Sequence, residues 1–330
     1  MPFPSRWRRR LAACALLALA AGAQAQKPYP ERALRLIVPY AAGSAADTLS
    51  RLVAGRLAEQ LGQAIVIDNK AGAGGTIGTV EIARAAPDGY TLGIAAQGTL
   101  VNNMVLYEKP GYDPLKDFAF IGRFADVQNL LVVSATSRYQ NVGELLADIR
   151  ARPPETFRYS SSGAGTSHHV AGVMLAQHLK TPLLHVPYTG APQGLTAILS
   201  GDVDLGLYNL PVALGLATSG KLRPLAVTGP ARSALLPQVP TLEEAGLKGY
   251  SVTLWWGLVG PAGLPPALVE RLHAELNRVM SRPDVRSRLT EQGFTLPPVP
   301  LAPPADFQRL VQADLETWVP LLRKLDGAGK

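Results

Sequence analysis

The residues best equipped for bond chemistry in this chain are Ser160-Ser161-Ser162 and the pair His168-His169 that follows them. A hydroxyl activated by a nearby imidazole is the arrangement of a serine hydrolase, so an exported hydrolase using Ser161 or Ser162 is one alternative. The chain offers no Gly-x-Ser-x-Gly elbow to present such a serine, and no acid stands out as the third partner. Metal chemistry has less support. Adjacent histidines on a helix point about 100° apart and cannot chelate one ion as an i, i+4 pair does. His178, His185 and His273 are isolated, and the single cysteine, Cys14, lies near the N-terminus. No catalytic residue and no metal ligand is expected.

Two glycine-rich stretches imitate nucleotide loops. In Lys70-Ala71-Gly72-Ala73-Gly74-Gly75-Thr76-Ile77-Gly78 the dinucleotide spacing fails, because Ile77 stands where a third Gly or Ala is needed. Gly215 to Lys221 has the form of a P-loop, but Leu222 replaces the hydroxyl residue that would hold magnesium. That segment is better explained as a helix end capped by Gly220. No cofactor is expected.

What remains is a set of small, nearly uncharged loops, and the elements around them explain their use. Tyr40 to Asp47, Gly72 to Thr76, Gln97-Gly98-Thr99, Ser160 to Ser167 and Val186 to Ala191 each follow an apolar run of strand length. Most lead into helical spacing, such as Leu49, Leu52, Val53, Leu57 and Leu61. A strand, a bare loop and a helix start present free backbone N–H groups at the positive end of a helix dipole, which suits an anion without any charged side chain. In parallel sheets such loops gather at the strand C-terminal ends, around the ligand crevice.

The alternation of strands and helices predicts right-handed βαβ units in two α/β lobes, each with a parallel-strand-rich sheet. Strands are expected at Leu34–Val38, Ala64–Ile67 and Tyr90–Ala96, and again at Phe157–Ser160, Leu183–Val186 and Val203–Tyr208. The long β-like segments Phe118–Ser134 and Tyr250–Gly260 would cross between the lobes as a two-stranded hinge. The expected division is residues 26–125 plus about 255–300 for the first lobe and 126–254 for an inserted second lobe. A C-terminal helical segment, 301–330, would pack across both.

The N-terminus reads as an export signal. Arg6 and Arg8-Arg9-Arg10 precede an apolar run from Leu11 to Ala23, and Ala23-Gln24-Ala25 has the small-x-small form of a cleavage site. Leu11-Ala12-Ala13-Cys14 has the letters of a lipoprotein box but follows directly on the arginines, so cleavage after Ala25 and a soluble periplasmic product are expected. Cleavage leaves 330 − 25 = 305 residues, and the net charge falls from +7 to +3 with the four arginines lost. The basic run goes with the signal, so no nucleic-acid partner is expected.

The sequence from Tyr29-Pro30-Glu31-Arg32 through Ile37-Val38-Pro39-Tyr40-Ala41-Ala42-Gly43, Asn69 to Gly75 and Ala86-Pro87-Asp88-Gly89-Tyr90 closely resembles the Bug family. These are extracytoplasmic solute receptors of the tripartite tricarboxylate transporter type. The resemblance continues through His185-Val186-Pro187-Tyr188, Gly201-Asp202-Val203-Asp204 and Pro237 to Thr241. It departs at Ser44, where the family usually has a second Gly, and at Lys70.

The resemblance implies a two-lobed periplasmic binding protein, type II-like, of the Venus flytrap kind. Such a protein closes on a small organic anion, a carboxylate or an amino or aromatic acid, and acts as a monomer. It passes the ligand to membrane subunits of a tripartite tricarboxylate-type transporter, or alternatively to a membrane sensor. Ligand contacts are expected from Tyr40, Ala42, Gly43 and Ser44 in the first lobe and from Ser161, Gly163 and Thr166 in the second. Gly74, Thr99 and Tyr188 lie in the further bare loops, and Gln97 and Asn209 are candidate polar contacts. Asp47 has two roles open to it, helix N-cap or partner of a ligand ammonium.

Overall fold

The computed structural model describes residues 29–327, except the side chains of 324–327. The expected signal, 1–25, with Cys14 and the Ala23-Gln24-Ala25 site, lies outside the described residues. The chain builds two α/β lobes on one nine-stranded sheet, in the order β2-β1-β3-β9-β4-β7-β5-β6, with β8 paired to β4.

The first lobe holds β1 (Leu34–Val38), α1 (Ala45–Leu61), β2 (Ile65–Asn69), α2 (Thr76–Ala83) and β3 (Thr91–Ala96). β1 pairs in parallel with β2 and β3, as two βαβ crossovers require. After β3 the chain does not form the expected open loop at Gln97-Gly98-Thr99. It winds at once into a π-helical turn, Gly98–Asn102, and the short α3 (Asn103–Leu106). Thr99 Oγ1 ties that turn to the end of the strand by accepting from Ala96 N–H and donating to Ala96 O.

β4 (Phe118–Ser134) then runs through both lobes. Its first part pairs antiparallel with β9 (Thr253–Pro261), from Phe118 opposite Pro261 to Gln128 opposite Thr253. Its last part pairs with β7 (Leu205–Asn209) and β8 (Leu222–Val227). Register shifts between Phe120 and Gly122, Arg123 and Ala125, and Leu131 and Val132 mark bulges. Bulges bend and twist a strand, which lets one strand serve two lobes of different orientation.

The second lobe adds α4 (Val142–Ala151), β5 (Arg158–Ser161), α5 (Ser167–Leu179), β6 (Leu184–Pro187), α6 (Ala191–Ser200) and α7 (Leu210–Thr218). β5 pairs in parallel with β6 and β7. The chain returns through β9 to α8 (Pro266–Met280), α9 (Pro283–Glu291) and α10 (Pro304–Gly327).

Each lobe has its own apolar core. Leu36, Leu49, Ile94, Phe124 and Leu276 belong to the first, and Leu131, Leu145, Tyr159, Leu175 and Leu207 to the second. α10 contributes to both, with Phe307 and Val311 buried in the first lobe and Leu322 in the second. Phe307 meets Phe120 at 5.2 Å and Trp255 at 5.1 Å between ring centroids, both edge to face, so it packs directly on the β4/β9 ladder.

Candidate functional site

The first wall of the site is the turn from β1 into α1. Gly43 has φ +77 and frees the chain to turn under the helix start. Ser44, extended at φ −71 and ψ 163, is the N-cap, and its Oγ accepts from Asp47 N–H at 3.2 Å. Asp47 is therefore not the N-cap but sits in the first helical turn, and its carboxylate reaches back to Gly43 N–H at 3.0 Å. This resembles a capping box shifted by one residue, because Ser44 N–H itself donates to Ala41 O.

Asn69 Nδ2 and Arg51 Nε add bonds to that carboxylate at 3.0 and 3.1 Å. Burial pushes the Asp47 carboxyl up, but the Arg51, Gly43 N–H and Asn69 bonds outweigh it and hold the group below the usual range.

The second wall is the loop between β5 and α5. Gly163 and Gly165 have φ +110 and +85, and Thr166 Oγ1 donates to Gly163 O at 2.7 Å. Behind the loop, Ser161 Oγ lies 2.6 Å from His185 Nε2, and His185 stacks on Tyr159 and packs against His169. His168 faces the cleft. Its Nδ1 is 2.9 Å from Ser162 Oγ and its Nε2 is 3.1 Å from Asn209 Oδ1. Burial pushes His168 down to about 4, so the ring is neutral at pH 7.

Between the walls is a cavity of about 40 Å³, room for a few waters at ~10–15 Å³ each. The lobes are closed over it. Asn102 Nδ2 donates to Gly165 O at 3.1 Å and Tyr107 OH to Ala164 O at 3.2 Å, both across the cleft.

Five helices begin at this cavity, with N-caps Ser44 (α1), Gly75 (α2), Thr166 (α5), Gly190 (α6) and Asn209 (α7) all on its wall. The last four make no side-chain cap to their own helices, although Thr76 N–H at the start of α2 is bonded to Ala73 O and α6 and α7 each carry a Pro in the first turn. No Lys, Arg, Asp or Glu lines the cavity among the described residues, and Ala46, Ala96, Leu254 and Trp256 supply an apolar side.

Of the residues expected from sequence, Tyr40, Ser44, Thr166 and Asn209 stand on this wall. Ala42 and Gly43 are exposed, and Asp47 is turned inward to its capping bonds. Gly74 and Gly163 meet each other where the lobes touch, with Gly74 N 3.7 Å from where a Gly163 Cβ would stand. Ser161 supports its own loop, and Tyr188 N–H donates to Ser161 O, pinning β6 to β5.

Thr99 is fully buried at the end of β3. Gln97 faces away, toward a groove of about 850 Å³ on the other side of β9. With its amide turned to match its neighbours, it donates to Thr253 O and accepts from Trp318 Nε1. Within β9, alternation puts Trp256 on the cavity and Trp255 on the groove, while Leu254 borders both. Ser162, Ser167 and Thr189 were expected only as members of the bare loops, whereas His168 and Trp256 were not expected on the wall. His168 lies at the helix start next to the Ser160 to Ser167 loop, whereas Trp256 arrives from a strand distant in sequence.

Three solved structures share this architecture. The periplasmic binding protein BugD is 33% identical with a TM-score of 0.85, covering 90% of this chain and 99% of its own. R. palustris Rpa4515 with adipate is 33% identical, with a TM-score of 0.86 over 90% of this chain and 98% of its own. MatC (Rpa3494) from Rhodopseudomonas palustris with bound malate is 32% identical, with a TM-score of 0.83 over 88% and 99%.

The model of the tripartite tricarboxylate transporter family receptor matches residues 49–326. A serine hydrolase is thereby set aside, and the local chemistry agrees. The imidazole beside Ser162 is backed by the neutral amide of Asn209, which offers no charge to stabilise an imidazolium. The chain belongs to the tripartite tricarboxylate transporter receptor family, whose members are periplasmic solute-binding proteins and not enzymes.

Proposed function

We propose that the protein captures a small organic anion, a carboxylate, between its lobes and presents it to the membrane subunits of a tripartite tricarboxylate-type transporter. The observation that carries this is the meeting of five helix N-termini on one cavity without a basic side chain. Each N-terminus is worth about 0.3–2 kcal/mol to an anion. Several together reach much of the ~8–12 kcal/mol that micromolar to nanomolar binding needs, with apolar packing against Leu254 and Trp256 adding the rest. Ser44 Oγ accepts from Asp47 N–H, so its hydrogen is left to donate into the cavity. The related Rpa4515 and MatC, solved with adipate and malate, support the same ligand class.

Capture works by hinge closure. The lobes part about the β4/β9 ladder to admit the solute and close again around it. One lobe binds first and the other completes the set of N–H donors. Bridging water lets neutral loops adapt to the shape of the acid. A thermal-shift screen over mono-, di- and tricarboxylates and aromatic acids tests the proposal. A ligand at a thousand times its Kd adds about 4 kcal/mol of stability. A screen with no shift from any carboxylate would reject it.

A further inference from the structure

We infer that Ser162 Oγ is held as a hydrogen-bond acceptor on the cavity wall, and that it selects acids bearing a hydroxyl group over the same acids without one. The inference rests on the carboxylate-receptor function proposed above and identifies a residue that sets its specificity.

A serine hydroxyl donates or accepts according to its neighbours. The chain of bonds that fixes this one begins at Ser167 O, a backbone carbonyl, which only accepts. Asn129 Nδ2 donates to it at 3.4 Å, and that turns Asn129 Oδ1 toward Asn209. Asn209 Nδ2 donates to Asn129 Oδ1 at 2.7 Å and to Ser167 Oγ at 3.3 Å, so Asn209 Oδ1 is left to accept. That oxygen lies 3.1 Å from His168 Nε2, which therefore carries the ring proton. The opposite tautomer would let Nε2 accept from Asn209 N–H, but only at 3.4 Å, and would set two lone pairs against each other at 3.1 Å.

Burial keeps His168 neutral at pH 7, so a proton on Nε2 leaves Nδ1 as an acceptor. Ser162 Oγ, 2.9 Å from Nδ1, gives its hydrogen there. The relay is shielded from solvent, since Asn129, His168 and Asn209 are all buried. It is also pinned by the sheet, because Asn129 on β4 and Asn209 on β7 are register partners. Ser162 stands on the cavity wall, and among the described residues no donor reaches its Oγ. An acid that meets the α1 start with its carboxylate and Ser162 with a hydroxyl satisfies both. A parent acid leaves Ser162 Oγ to a trapped water, which satisfies the oxygen at some loss of entropy. The preference is therefore that of one neutral hydrogen bond, roughly two- to tenfold.

The test is isothermal titration of the mature protein and of Ser162→Ala at pH 7.5 with paired acids. The pairs are malate and succinate, lactate and propionate, 3-hydroxybutyrate and butyrate, each hydroxy acid as both enantiomers, and citrate and tricarballylate. In the pairs that bind, the better enantiomer is expected to bind roughly two- to tenfold more tightly than its parent acid, and Ser162→Ala is expected to bring the ratio to about one. Nitrogen NMR of the histidine-labelled, unsubstituted protein is expected to show His168 protonated at Nε2. Parent acids that bind as tightly as their hydroxy partners in every pair overturn this inference while leaving the receptor function in place. So does a preference that survives Ser162→Ala, or a His168 protonated at Nδ1. Titrations in which no carboxylate of any pair binds overturn both.

Discussion

Gly74 shows how much the closed form depends on single atoms. Its φ is +59, and a Cβ there would stand 2.1 Å from Ala164 O, a backbone atom of the opposite lobe. The clash exists only when the lobes meet, so Gly74→Ala is expected to hinder closure more than folding. Ligand affinity should fall at least tenfold, equal to about 1.4 kcal/mol, with a much smaller change in urea midpoint. Titration calorimetry beside equilibrium unfolding checks this, and equal losses in both would contradict it.

The histidines on and behind the second wall make a separate prediction. Burial lowers His168 and His169 from 6.5 to about 4, and burial together with the charge of His169 lowers His185 to about 3. Below pH 6.5 the unfolded chain takes up protons that the folded chain refuses, so stability falls as pH drops toward 4. The slope should reach up to about 1.4 kcal/mol per pH unit for each histidine. Urea midpoints that stay flat between pH 7 and 4.5 would show these rings to be accessible. At this scale the chain's residue types pointed to uncharged, small-residue loops, but the N-cap role left open for Asp47 belongs to Ser44. Ser44 and Asp47 are both good N-caps, and only the helix start at Ala45 decides between them.

Among the elements, α10 and the β4/β9 ladder govern how the lobes are held. Phe307 is 2% exposed and packs between Phe120 and Trp255. Phe307→Ala should cost about 3–5 kcal/mol of unfolding free energy, the range for a large aromatic removed from a core. Denaturant unfolding measures it, and a loss under 1 kcal/mol would mean that the helix is not anchored there. The long strands were readable in sequence as apolar runs, and α1 from its helical spacing. α4, β8 and the π turn at Gly98–Asn102 were not among the sequence-based expectations. The π turn is set by tertiary bonds such as Tyr112 OH to Thr99 O, which no local pattern encodes.

For the whole molecule, the closed state is held at the cleft mouth by Asn102 to Gly165 and Tyr107 to Ala164. In this closed form the amide oxygens of Asn102 and Asn103 are buried without a protein partner, which costs free energy. Tyr107→Phe removes one bond made only when the lobes meet, worth about 0.5–1.5 kcal/mol net. Affinity should weaken by roughly two- to tenfold, mainly through a faster off-rate, which stopped-flow release of ligand would resolve. An unchanged off-rate would place the latch elsewhere.

By itself the sequence determined the alternation of strands and helices, the bare loops and the lack of charge within them. Those properties are local, written in periodicity, glycine and small residues, and they already implied an anion held by backbone dipoles. Only the tertiary structure decided which loops share one cavity. β4 and β9 bring Trp256 to a wall built from residues 39 to 209, strand alternation sends Trp255 to the other side, and the turn after β3 sends Gln97 there too. It also decided that Asp47 spends its carboxylate on Gly43, Arg51 and Asn69. Each outcome depends on partners far apart in the chain, and such distances are closed by packing, which no window of sequence contains.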